Sequence, residues 1–135
     1  MDTNGESGDR RECDVLCRLV GVAIGGGNPP ADEDFPEDLN PARLVQLATR
    51  HRCLPLMMAG LDCRLREGRT GGVLLDPETQ ARVTRLLMIG TGRAVFLARR
   101  LVGLLRDFDG AGVRALALKG PALSLELYGR VDFRP

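Results

Sequence analysis

The chain has no tryptophan, one tyrosine and four phenylalanines in 135 residues. Stacking platforms for single-stranded nucleic acid need aromatic faces, so a stacking nucleic-acid binder is not expected. Excess charge is also lacking: 19 basic against 18 acidic side chains leave a net charge of +1. Bulk charge therefore carries no nucleic-acid signal, though a local basic face remains open. No apolar run approaches the roughly 18 residues that a membrane span requires, and no membrane partner is expected. The first residues, Met1 to Glu12, are polar and of mixed charge. They lack a basic stretch followed by an apolar one, so no secretory signal is expected and the chain reads as cytoplasmic.

Histidine is nearly absent, with His51 the sole example, and the four cysteines, Cys13, Cys17, Cys53 and Cys63, show no C-x-x-C pairing. A tetrahedral zinc site needs converging thiolates and imidazoles, and this spacing does not point to one. The thiols are expected to be reduced and partly buried, behaving as small apolar groups.

What the chain does have is leucine, valine and alanine in helical spacing, with 44% apolar and 27% charged residues. That composition fits a globular chain with a helical core. Residues 1–10 are expected to be a disordered tail, and residues 11–110 a helical region. Its first helix runs from Arg11 to Ile24, with Val15, Leu16, Leu19, Val20 and Ala23 on one face. Gly25 to Pro30 ends it. The segment 25–39 continues with Asp32, Glu33, Asp34, Glu37 and Asp38 as an acidic loop. The glycine run is not a phosphate loop: no strand precedes it, and the acids beside it repel phosphate. It is expected to be a flexible connector.

Asn40-Pro41 predicts a helix start, with asparagine as N-cap and proline at the first helical position. That helix is expected to end near Arg52, with Pro55 restarting a further segment to about Arg66, and a turn at Gly68 to Gly72. Asp76-Pro77 repeats the start signal, and a long helix is expected over about 77–109, closed by Gly110 and Gly112. Val83, Leu87, Gly90, Ala94, Leu97, Leu101, Leu104 and Phe108 form a continuous seam along it, suited to packing on other helices. Arg82, Arg85, Arg93, Arg99, Arg100 and Arg106 lie mostly off this seam. A solvated face is the plainer account of them, and a basic wall facing phosphates the functional one.

After the long helix, Val113 to Leu118 is a short apolar run. It passes through Lys119-Gly120-Pro121, and helical spacing resumes at Leu123, Leu127 and Tyr128. This pattern predicts a strand, a tight turn and a helix start. A helix N-terminus after a strand presents unpaired N–H groups, a natural seat for an anion. A Walker-type loop is excluded, because it requires G-x-x-x-x-G-K-[ST] and the order here is lysine then glycine. An ordinary turn with an exposed lysine remains open.

The stretch Leu118-Lys119-Gly120-Pro121-Ala122-Leu123, then Tyr128-Gly129, then Arg134-Pro135, resembles a bacterial nucleotidyltransferase family of the polymerase-beta-type superfamily. The resemblance covers about Ala111 to Pro135 and is looser upstream. It implies a mainly α (α+β) fold: a helical N-terminal region followed, over 111–135, by the first strand and helix of an incomplete nucleotidyltransferase palm. It further implies Lys119 and Gly120 as the phosphate-side motif, with Tyr128 and Arg134 as framework positions. Intact relatives would use Mg²⁺ and a nucleoside triphosphate to transfer a nucleotidyl group to a hydroxyl. In that family a D-x-D pair follows the Arg-Pro. No such pair follows here, so the resemblance implies an N-terminal portion that is inactive alone, with no catalytic residue and no metal ligand of its own. Asp107-Phe108-Asp109 has the spelling of that pair, but it precedes Lys119-Gly120 and falls at a helix end. A nucleotide is the ligand the resemblance implies, with neither Mg²⁺ nor the triphosphate expected to bind tightly to this chain. The expected macromolecular partner is a second copy or the family's C-terminal part. The alternative is a non-enzymatic helical interaction or dimerisation module built on the long seam.

Overall fold

A computed structural model describes residues 3–69 and 75–133. The chain divides into two compact units, Met1–Val83 and Thr84–Pro135. Among the described residues it is helical, with five α-helices and no strand.

In the first unit, α1 spans Thr3–Ala23, α2 spans Pro41–Arg50 and α3 spans Leu54–Arg66. Helix α1 begins eight residues before the expected Arg11, within the segment read as a disordered tail. Asn40 caps α2 as its sequence predicts: the side-chain oxygen accepts the Arg43 N–H at 3.1 Å, and Pro41 opens the first turn. Helices α2 and α3 are joined by a corner at Arg52, whose φ of 56° is left-handed. The Cys53 N–H returns to the Ala48 carbonyl at 2.9 Å and closes the corner. The turn expected at Gly68 to Gly72 lies partly outside the described residues.

Helix α1 packs mainly on α3 and also on α2. Val15, Leu16 and Leu19 from α1 bury with Leu44, Val45 and Ala48 from α2 and Leu54, Leu56 and Met57 from α3. The α1–α3 crossing is close because Gly60 stands there: a Cβ at that position would lie 2.2 Å from the Leu19 carbonyl oxygen. Burial of the apolar faces supplies the stabilisation, at roughly 25 cal/mol per Å² of apolar surface removed from water.

The acidic segment after α1 is held to the helices by ion pairs. Asp32 pairs with Arg64 of α3, Asp34 with Arg18 at 2.7 Å, and Asp38 with Arg11. Arg69 donates to the Pro29 carbonyl at 3.0 Å. Arg64 is 2% exposed, and its guanidinium lies 4.0 Å from the centroid of the buried Phe35 ring. A cation so buried needs a counter-charge and an aromatic face, and the loop brings both.

Helix α4 spans Pro77–Gly110 and α5 spans Pro121–Tyr128. The Asp76 side chain accepts the Thr79 N–H at 2.9 Å and starts α4 where the sequence predicts. Its end is also as read: the Val113 N–H returns to the Phe108 carbonyl at 2.8 Å, with Gly112 left-handed at φ 73°. The seam is less uniform than its spacing suggests. Val83 and Ala94 are buried, whereas Leu97, Leu104 and Phe108 are exposed. Met88, Ile89 and Phe96, off the seam, are exposed as well.

The run Val113 to Leu118, expected as a strand, has no regular structure. Leu116 is 83% exposed and Leu118 73%. A strand needs a second strand to take its N–H and C=O groups, and none exists among the described residues.

Candidate functional site

The turn at Lys119-Gly120 and the helix that follows it are the features the sequence marks for chemistry. Gly120 has φ 72° and ψ −142°, a conformation open to glycine and costly for other residues. The Gly120 carbonyl accepts the Ser124 N–H at 3.0 Å, the first closed turn of α5. Pro121 occupies the start of the helix, where a missing N–H costs nothing. No side chain caps this end. The amides of Ala122 and Leu123 therefore belong to the set that a helix start leaves without intrahelical acceptors. Lys119 is exposed next to them. Chemically, the turn offers one exposed ammonium and a helix start of positive polarity.

The far end of α5 is closed by Gly129, left-handed at φ 67°, whose N–H donates to the Leu125 carbonyl at 2.8 Å. The segment after it is folded back by its own polar contacts. Ser124, fully buried, donates through its hydroxyl to the Arg130 carbonyl at 2.7 Å. Arg130 binds Asp132 with two N–H donors, at 3.0 and 2.9 Å, and the Thr91 hydroxyl of α4 donates to the same carboxylate at 2.9 Å. The Arg130 guanidinium sits 4.8 Å from the Phe133 ring centroid, and Tyr128 meets Phe133 at 6.0 Å with planes tilted by 48°. These contacts hold the Asp132 carboxyl below its ordinary range: the Arg130 hydrogen bond is the largest cause, opposed by partial burial and aided by Thr91.

The expected site residues are thus divided. Lys119 and Gly120 lie together at the start of α5, and Tyr128 lies at its end, in ring contact with Phe133. Arg134 and Pro135 lie outside the described residues. Tyr128 meets the folded-back segment through its ring contact with Phe133. Sequence reading missed the Thr91–Asp132–Arg130 contact, because a hydroxyl near the middle of a helix carries no local signal for a residue 41 positions later.

Carboxylates for Mg²⁺ are a separate matter. Asp107 and Asp109 sit in the last turn of α4. Asp132 is engaged by Arg130 and Thr91. Among the described residues no three His, Cys, Asp or Glu side chains gather in a way that could hold a metal ion. Hard divalent cations need several converging oxygens, so these residues do not fit a Mg²⁺ site. The cysteines are free thiols: Cys17 is exposed, and Cys13, Cys53 and Cys63 are half-buried. Burial pushes the Cys53 thiol up from its ordinary value.

Comparison with protein-family models, curated proteins and solved structures finds no match.

Proposed function

We propose that this chain is the helical and phosphate-side portion of a nucleotidyltransferase-like protein, and that it is inactive alone. In this proposal Lys119 and the first turn of α5 receive the phosphates of a nucleoside triphosphate. One observation carries it. The glycine-only conformation at Gly120 turns the chain into a helix start that no side chain caps, beside an exposed lysine. That combination seats an anion through backbone N–H groups and one cation. The Mg²⁺-holding carboxylates of such an enzyme are not supplied by these residues, so no chemical step is assigned to them. The uncovered run Val113 to Leu118 supports the same proposal, since an apolar segment of this kind is what a neighbouring palm strand would pair with and cover.

Titration calorimetry with ATP tests the proposal. Weak binding that disappears in Lys119→Ala supports it. No binding by the unsubstituted chain overturns it, and so does binding that Lys119→Ala leaves unchanged.

A second proposal, a helical interaction or dimerisation module, is favoured by the exposed Met88, Ile89 and Phe96 on α4. Light scattering after size exclusion separates the two. A clean dimer supports the module, and self-association without a defined stoichiometry supports the portion of a larger protein.

A further inference from the structure

The near-neutral chain is two charged halves. The second unit, Thr84–Pro135, carries nine basic and four acidic side chains, a net of +5, whereas residues 1–83 carry ten basic and fourteen acidic. The excess does not depend on how individual groups pair, because four acids cannot neutralise nine bases. One of the four, Asp132, is already bound by Arg130. Within α4 the imbalance is complete from Thr84 to Arg106: Arg85, Arg93, Arg99, Arg100 and Arg106 stand there with no aspartate or glutamate between them.

The same stretch exposes apolar side chains in register. Met88, Val95 and Val102 recur every seven residues, and Ile89 and Phe96 do the same beside them. All five are exposed, Met88 at 72% and Phe96 at 62%. Seven residues are close to two helical turns, so these positions form one stripe. Arg99 lies inside the stripe, four residues after Val95 and three before Val102. Arg93 and Arg100 stand one turn after Ile89 and Phe96 and flank it. Another side of α4 is already used: Ala94 is buried, and Thr91 donates to Asp132 of the folded-back segment. What remains is one basic and apolar face, about 30 Å long from Arg85 to Arg106 at 1.5 Å per residue.

The composition of that face selects its partner. A second copy would set the same arginines against each other across a two-fold axis. Nucleic acid would meet the arginines and leave Met88, Ile89 and Phe96 in water. A protein groove would have to bury a counter-charge for Arg99 in the middle of the apolar stripe. At an anionic lipid surface the apolar side chains enter the acyl boundary, and the arginine stems lie along it while their guanidinium groups reach the headgroup phosphates. No helix among the described residues is long and apolar enough to cross a membrane, but lying on one needs only a face.

We propose that the exposed face of α4 docks on an anionic membrane surface, with Met88, Ile89, Val95, Phe96 and Val102 inserted and Arg93, Arg99 and Arg100 on the headgroups. This rests on the interaction-module proposal, whose face it shares, and names the partner; it makes no use of the Lys119 turn.

Sedimentation of the full chain with vesicles tests it, using phosphatidylcholine mixed with phosphatidylserine against phosphatidylcholine alone. Binding to the mixed vesicles only, weakened by added salt, is expected. Arg93→Gln, Arg99→Gln and Arg100→Gln together are expected to weaken binding at least tenfold, and so are Met88→Ser and Phe96→Ser together. These side chains are exposed, and circular dichroism checks that the variants fold. The chain has no tryptophan, so Phe96→Trp places a single indole on the face, and a blue shift of its fluorescence with mixed vesicles is expected. The proposal is overturned if the unsubstituted chain does not sediment with mixed vesicles, or if either multiple variant binds them as it does. Binding to RNA without binding to vesicles overturns it equally. A clean dimer that ignores vesicles overturns it and leaves the module standing; neither a clean dimer nor vesicle binding overturns both.

Discussion

Replacing Gly60 by alanine tests the packing of the first unit more sharply than any other single change. A Cβ there would stand 2.2 Å from the Leu19 oxygen, 2.8 Å from its carbonyl carbon and 3.0 Å from its Cα. Ordinary van der Waals contact begins near 3.4 Å, so α1 and α3 must separate by about 1 Å. The opposing atoms are backbone, and no side-chain rotation relieves them. Overpacking of this kind costs about 3 kcal/mol at the upper end of its usual range. Alanine returns about 1 kcal/mol in helix propensity. The net expectation is a loss of about 2 kcal/mol, or roughly 10 °C in melting temperature for a unit of this size. Gly92→Ala on α4 is the matched control, because nothing lies within 4 Å of a Cβ there. It is expected to stabilise by up to about 1 kcal/mol. Urea and thermal unfolding followed by circular dichroism measure both. If Gly60→Ala stabilises as Gly92→Ala does, the close α1–α3 crossing is refuted.

Other expectations follow from single contacts. Gly120→Ala forces a side chain into φ 72°, ψ −142° and is expected to cost about 1–3 kcal/mol, seen as a loss of protection at the α5 amides in hydrogen exchange. Asp132→Asn removes a carboxylate whose folded pKa is depressed. Such a group contributes stability that is complete above its ordinary value near pH 4 and is lost as pH falls through the lower folded value. The difference between Asp132→Asn and the unsubstituted chain is therefore expected to be largest at neutral pH and to shrink as pH falls below the ordinary carboxylate range and through the depressed folded value, in acid titrations of stability. Arg52→Gly relieves a left-handed residue and is expected to shift stability by no more than about 1 kcal/mol, whereas Arg52→Val is expected to destabilise by more than that. In thiol labelling at neutral pH, the exposed Cys17 is expected to react first and Cys53 more slowly, because the Cys53 thiol is half-buried and its pKa is raised.

What the sequence determined by itself is the set of features decided within one turn of helix. Asn40-Pro41 and Asp76-Pro77 carry their own N-cap acceptors, and both helices start there. Gly112 ends α4 and Gly129 ends α5, because a left-handed residue is needed at each point and glycine takes it without strain. The turn at Lys119-Gly120 was legible for the same reason: lysine, glycine and proline in that order specify a bend into a helix.

The tertiary structure decided everything that depends on a distant partner. Val113 to Leu118 has the composition of a strand, but composition supplies no second strand, so the run has no regular structure. Arg64 on α3 is buried because Asp32 and Phe35 of the acidic segment fold onto it. Gly60 looks like a weak point in α3 until α1 is laid across it. Arg50 and Arg82 are 32 residues apart, and only the meeting of α2 with the start of α4 puts both on one groove. Caps and turns are closed by neighbours in the chain and can be read from it. Buried charge, close crossings and shared grooves are set by which surfaces meet, and side-chain identity alone does not determine that.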